Sequence, residues 1–135
     1  MSLRRLLLPF LLFALPATAD VWSFATPSGN IECWVGEDFG GSDLQCTIFQ
    51  RSAPMPQFAA CPVSRGITVF MLNRGGVEVT CPPAGERPTG AQHVADYGVE
   101  GNFGGFTCLS ATTGLQCRNE DGHGFHLSRR NQSVF

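Results

Sequence analysis

The sequence predicts a small all-β domain: a disulfide-stapled antiparallel sandwich or partly open barrel built from consecutive hairpins. Three observations predict it. Six cysteines, an even number, all lie beyond residue 19: Cys33, Cys46, Cys61, Cys81, Cys108 and Cys117. Apolar and polar residues alternate on either side of links rich in Gly, Asn and Asp, the pattern of half-buried strands joined by turns. Beyond the N-terminal stretch no ten residues show helical periodicity, and sixteen glycines and nine prolines divide the chain into short pieces. Six to eight short strands are expected.

The N-terminal stretch is different in kind. MSLRRLLLPFLLFALPATAD carries basic Arg4 and Arg5, an apolar run from Leu6 to Leu15, and the small-residue site Ala17-Thr18-Ala19. That order is the order of a secretory leader cleaved before Asp20. The apolar run is too short for a bilayer, which needs about 20 residues. The expected organisation is a removed leader, 1–19, and a single disulfide-bonded β domain, 20–135, periplasmic or secreted and without a membrane span. Residues 20–135 hold seven arginines, no lysine and eleven acids, a formal charge of −4. No basic tract is available to neutralise phosphates, so nucleic acid is not an expected partner.

In an exported chain six cysteines read as three disulfides. Zinc would need closely spaced pairs of reduced thiols. The stretch NIECWVGEDFGGSDLQCTI suggests the first bridge. Ile31, Cys33 and Val35 share one strand face, and Leu44, Cys46 and Ile48 share another. Folding the two as a hairpin with Cys33 opposite Cys46 also sets Ile31 beside Ile48 and Val35 beside Leu44. Cross-strand Cβ separations of about 4.5–5.5 Å lie near the reach of a disulfide. GGFTCLSATTGLQCRN repeats the scheme with Cys108 and Cys117 around a turn at Ser110 to Gly114, and both units end in Leu-Gln-Cys.

Between them, Ile67 to Leu72 is apolar on both faces, which predicts a central strand covered on both sides. Asn73 to Gly76 is a turn, and Val77 and Val79 alternate with Glu78 and Thr80 in a half-buried return strand. Cys61 would then tie the preceding loop to Cys81. The expected pairs are therefore 33–46, 61–81 and 108–117. SAPMPQFAACP and CPPAGERPTGAQ read as loops, and HVADYG as one helical turn stopped by Gly98.

Candidate chemistry is sparse. NEDGHGFHLSRR, from Asn119 to Arg130, offers Asp121, His123 and His126 as metal ligands. On a strand 121 and 123 face one way and 126 the other, and Gly122 and Gly124 oppose the helix that would unite the histidines. A turn at Asn119 to Gly122 entering a strand at Phe125 to Leu127 fits better, with His123 bonding backbone at a sheet edge. His93 and Asp96 lie close, but no G-x-S-x-G elbow accompanies them. Glu32, Asp38 and Asp43 supply carboxylates without a distinctive spacing. Trp22, Phe24, Trp34, Phe39, Phe49, Phe58, Phe70, Phe103, Phe106 and Phe125 supply core candidates. Trp34 faces away from Cys33 and is also a candidate stacking platform.

With these residues in view, the chain resembles a family of small exported bacterial proteins known only as a domain of unknown function. The resemblance rests on FATPSGNIECWV with LQCTI, on the hairpin ending at Cys81, and on YGVEGNFGGFTCLSATTGLQCRNEDGHGFHLSR. Its patterns are PSGNIxC and GHGFxLSR. It implies export and paired cysteines and supplies no catalytic residue. His123 falls on the second pattern and His126 on its variable position. Arg65 stands where the resembled family often has an acid. The expectation is a non-enzymatic binding or envelope-associated domain for an unknown protein or glycan, with Trp34 and His123 as candidate binding surface. The alternative is a small periplasmic hydrolase using His123 with a nearby carboxylate. No catalytic residue, metal ligand or cofactor is assigned.

Overall fold

The alternation that marks the strands also sorts their side chains between two facing sheets. The computed structural model describes residues 20–38 and 40–135; the expected leader, 1–19, and Phe39 lie outside them. One sheet has six strands: β1 (Asp20–Ala25), β2 (Ile31–Asp38), β3 (Gly41–Ile48), β4 (Ile67–Leu72), β5 (Glu78–Thr80) and β6 (His93–Val94). Their order is β5-β4-β3-β2-β1-β6. The second sheet has five: β7 (Glu100–Phe103), β8 (Phe106–Ala111), β9 (Gly114–Arg118), β10 (Gly124–Leu127) and β11 (Gln132–Val134). It runs β11-β10-β9-β8-β7, and neither sheet closes on itself, so the molecule is a sandwich.

Among the described residues every pairing is antiparallel except β1 with β6. The register of β2 on β3 sets Ile31 opposite Ile48, Cys33 opposite Cys46 and Val35 opposite Leu44. Extended across the first sheet, the cysteine row reads Phe24, Cys33, Cys46, Val69 and Val79. The matching row of the second sheet reads Cys108, Cys117, Phe125 and Val134. The two inner faces build one hydrophobic core, closed below by Met55 and Cys61 from the 49–66 loop. The disulfides are Cys33–Cys46, Cys61–Cys81 and Cys108–Cys117. The first and last join directly opposed residues with Cα atoms 4.1 Å apart, as in the narrow pairs of an antiparallel ladder.

Three expectations need correction. Among the described residues there are eleven strands rather than six to eight, because short edge strands leave little pattern in the sequence. His93-Val94 is no helical turn: it pairs in parallel with Phe24-Ala25, and Ala95 N donates to Ala25 O at 2.8 Å. β4 is fully buried on one face alone: Ile67, Val69 and Met71 are buried, whereas on the outer face Thr68 and Phe70 are half-buried and Leu72 stays 53% exposed.

The route to β6 shapes the outer face. Residues 81–92 leave edge strand β5 and cross to the opposite edge. On the way the Thr89 and Gly90 amides and the Thr89 hydroxyl donate to the Glu32 carboxylate. Ser23 N donates to Gln92 Oε1 at 3.1 Å, and Gln92 N donates to Ser23 Oγ at 3.0 Å. This strap leaves outward-facing Glu32 only 3% exposed.

Candidate functional site

A sandwich gathers its turns at its ends, where side chains are free of the ladder. At one end three turns surround a cleft of about 500 Å³. The first is the β1–β2 turn. Gly29 takes φ +72°, and its amide donates to Thr26 O at 2.8 Å. Asn30 fixes this turn to the chain leaving β3: its Nδ2 donates to Gln50 O at 3.0 Å, and Gln50 N donates to its Oδ1 at 2.9 Å.

The second is the two-residue link Thr112-Thr113 between Ala111 and Gly114. Gly114 has φ +134°, and a Cβ there would meet Leu127 O at 2.5 Å. Only glycine lets this hairpin lie so close to the end of β10.

The third is Ser128 to Asn131, between β10 and β11. Ser128 N and Oγ both donate to Asn131 O, and Asn131 N donates to Ser128 Oγ. A buried polar chain holds the turn from inside. Gln132 Nε2 donates to Ser128 O at 2.7 Å and Arg129 O at 3.1 Å, while its Oε1 accepts from Arg51 Nη1 at 3.2 Å. Arg51 also donates to the carbonyls of Cys61, Pro62 and Arg65. Burial lowers the Arg51 pKa from its ordinary value. The turn is thus held by Gln132 and by Ser52, whose amide donates to Arg129 O at 2.8 Å, and it carries Arg129 and Arg130 at its tip.

Ile31 and Ile48, cross-strand partners, contribute apolar floor. Tyr97, 46% exposed, adds an aromatic wall from the link between β6 and β7. Hydroxyls come from Thr26, Ser28, Thr112, Thr113 and Ser128. The charged side chains in the lining are Arg129 and Arg130; no carboxylate lines it. Arg129 Nη1 donates to Gln50 Oε1 at 3.2 Å. The one ion pair among the described residues lies elsewhere, between Arg74 and Glu120. The arrangement can hold a hydroxylated, negatively charged molecule by direct hydrogen bonds.

The residues singled out from sequence lie apart from this cleft. Trp34 is 41% exposed on the outer face of the six-stranded sheet, between Ser23 and Gln45. His123 is exposed, with Nδ1 3.3 Å from Phe135 O. Its turn fastens the two sheets together. Asn119 Oδ1 accepts from the Asp121 and His123 amides, and Asn119 Nδ2 donates to Leu72 O and Gly75 O. Asp121 Oδ2 accepts from Gly75 N at 2.7 Å, and Glu120 pairs with Arg74 at 2.9 Å. His126, opposite Gln116 and Ser133, packs its ring near Gly114 rather than beside His123. Of the other carboxylates considered, Glu32 is committed to the strap, and Asp38 Oδ1 accepts from Gly40 N. His93 packs edge-on against Trp22 at 6.1 Å.

The cleft escapes a sequence reading because its first turn lies more than 80 residues from the other two and each part is an ordinary turn. One signal was present: PSGNIxC begins, and GHGFxLSR ends, in a turn of the cleft, through Ser28 and Asn30 in one and Ser128 and Arg129 in the other. No curated protein and no solved structure matches the chain. A family model described as a family of unknown function, DUF6636, matches residues 59–135, more than half of the sequence, and the chain belongs to that family.

Proposed function

We propose that the chain is an exported, non-enzymatic binding domain of the cell envelope, and that the turn-built cleft is its binding site. The carrying observation is the lining: hydroxyls, an aromatic ring and two guanidinium groups over an apolar floor, in about 500 Å³. This volume falls within the range of about 300–1,000 Å³ usual for small-molecule sites. The lining pairs no nucleophile with a base and no acid with a base, the arrangements that bond cleavage needs. His123, the residue on which a hydrolase reading depends, stands on the inter-sheet turn, where its neighbours Glu120 and Asp121 are engaged by Arg74 and Gly75. Export, with the leader removed before Asp20, is supported by the leader pattern and by three disulfides, which persist in oxidising compartments.

The test is native mass spectrometry of the protein after incubation with solubilised envelope extract. A retained ligand that is lost in Thr113→Phe, which fills the cleft, supports the reading. Loss in Trp34→Ala with retention in Thr113→Phe would move binding to the outer sheet face and overturn the assignment of the cleft.

A further inference from the structure

From the chemistry of the cleft we infer that its ligand is an acidic saccharide, a hydroxylated ring bearing a carboxylate or a phosphate. The inference rests on the proposed binding role and names the ligand class. Four observations lead to it.

The first is charge placement. Residues 20–135 carry a formal charge of −4, yet two of their seven arginines stand side by side at the tip of one turn. No carboxylate shares the cleft with them. Arg130 enters no ion pair among the described residues. Planar guanidinium groups match carboxylate and phosphate oxygens in bidentate fashion.

The second is the mixture of the remaining walls. A bare anion needs donors alone, but here Tyr97 and the Ile31–Ile48 floor add apolar surface. Sugar rings present C–H faces to such surfaces and hydroxyls to the side chains around them. Thr112 and Thr113, the two central residues of their turn, supply hydroxyls that both donate and accept.

The third is the state of the backbone. A peptide bound by strand addition needs a free ladder edge. Backbone groups of the turns around the cleft already have partners: Gly29 N on Thr26 O, Asn131 N on Ser128 Oγ, Ser128 O on Gln132, and Arg129 O on Gln132 and Ser52. Recognition therefore falls to side chains.

The fourth is preorganisation. The Arg51–Gln132 chain and the Asn30–Gln50 clamp fix the turn backbones before any ligand arrives. A prearranged site loses less entropy on binding, which suits a small polar ligand with little apolar area to bury.

Isothermal titration of the purified protein tests the inference with four probes: trigalacturonate, a mannose oligosaccharide phosphate, neutral galactotriose and sodium phosphate. At least one acidic saccharide should bind about tenfold or more tightly than galactotriose and sodium phosphate, since one charge-assisted contact is worth that ratio. The double variant Arg129→Gln/Arg130→Gln should remove the difference while leaving the melting temperature unchanged, because both side chains are exposed at a turn tip. Tyr97→Ala should weaken the acidic saccharide and leave sodium phosphate unaffected. The inference is overturned if neither acidic saccharide binds, if galactotriose or sodium phosphate binds as tightly as both, or if the double variant keeps the preference. A neutral ligand retained by wild type and lost in Thr113→Phe would sink the charge argument and leave the binding role standing. Trigalacturonate against the mannose phosphate decides which anion is read.

Discussion

Gly122 and Gly124 flank His123 for different reasons. Gly122 takes φ +79°, and a Cβ added there would meet nothing within 4 Å, so alanine encounters only backbone strain. Gly124 has an ordinary φ, but a Cβ would collide with the Cys117 carbonyl across the ladder. Gly122→Ala should cost about 1 kcal/mol. Gly124→Ala should cost about 3 kcal/mol or more, because backbone of both strands would have to part. Urea unfolding midpoints of the two variants measure the contrast; equal losses would refute the steric account. Gln132 is the other telling residue. Gln132→Leu keeps the volume but strands one Arg51 donor and the Ser128 carbonyl, and leaves the Arg129 carbonyl to Ser52 alone. A loss of about 2–4 kcal/mol follows, with faster amide exchange in residues 128–131 measured by hydrogen–deuterium exchange. A silent substitution would mean that the turn holds itself.

At the scale of elements, hairpins were legible and crossings were not. The β2–β3 register follows from two apolar pairs that fall into place together with one bridge, all within twenty residues of sequence. The turn at Asn119 was legible for the same reason: Asn, Asp and Gly carry their turn chemistry locally. β6 was not, because two residues have no period and their partner Phe24 lies 69 residues away. Apolar residues on both faces of β4 suggested two covering layers, but the outer cover is partial: Phe70 is half-buried and Leu72 is left to solvent. The strap was hidden too, since a lone glutamate on a strand looks solvent-facing until Thr89 and Gly90 are brought to it. Glu32→Gln places an amide group where acceptors are needed by three donors. It should cost about 1–3 kcal/mol, and exchange of the Thr89 and Gly90 amides should rise while that of β3 amides holds. Uniform acceleration across the sheet would show that the strap is part of the cooperative core.

For the whole molecule the question is what holds two sheets of short strands together. The core is modest, and two of the three bridges lie inside it, one in each sheet. The third ties the 49–66 loop, which closes the sandwich, to the start of the strap. Closing loops of this size contributes about 2–4 kcal/mol per bridge. Together that is comparable to the entire stability of a small domain, about 5–15 kcal/mol. Incubation with a thiol reductant in mild urea should therefore unfold the chain, and near-ultraviolet circular dichroism should lose its tertiary signal. A fully reduced chain with an unchanged spectrum would show that the apolar faces suffice. Among the described residues no helix is long and apolar enough to cross a membrane.

The externally braced turn at Ser128 to Asn131 has a consequence for how such a protein diversifies. Its ends are closed by Ser128 and Asn131, and its backbone is gripped from behind by Gln132 and by Ser52, so the side chains of the two residues at its apex are bound by no ladder. Substitutions there can alter what the molecule recognises while the ribbons beneath stay in register. The scaffold behaves as a fixed handle with an exchangeable tip, and grafting a different pair at 129 and 130 is the shortest path to a new preference.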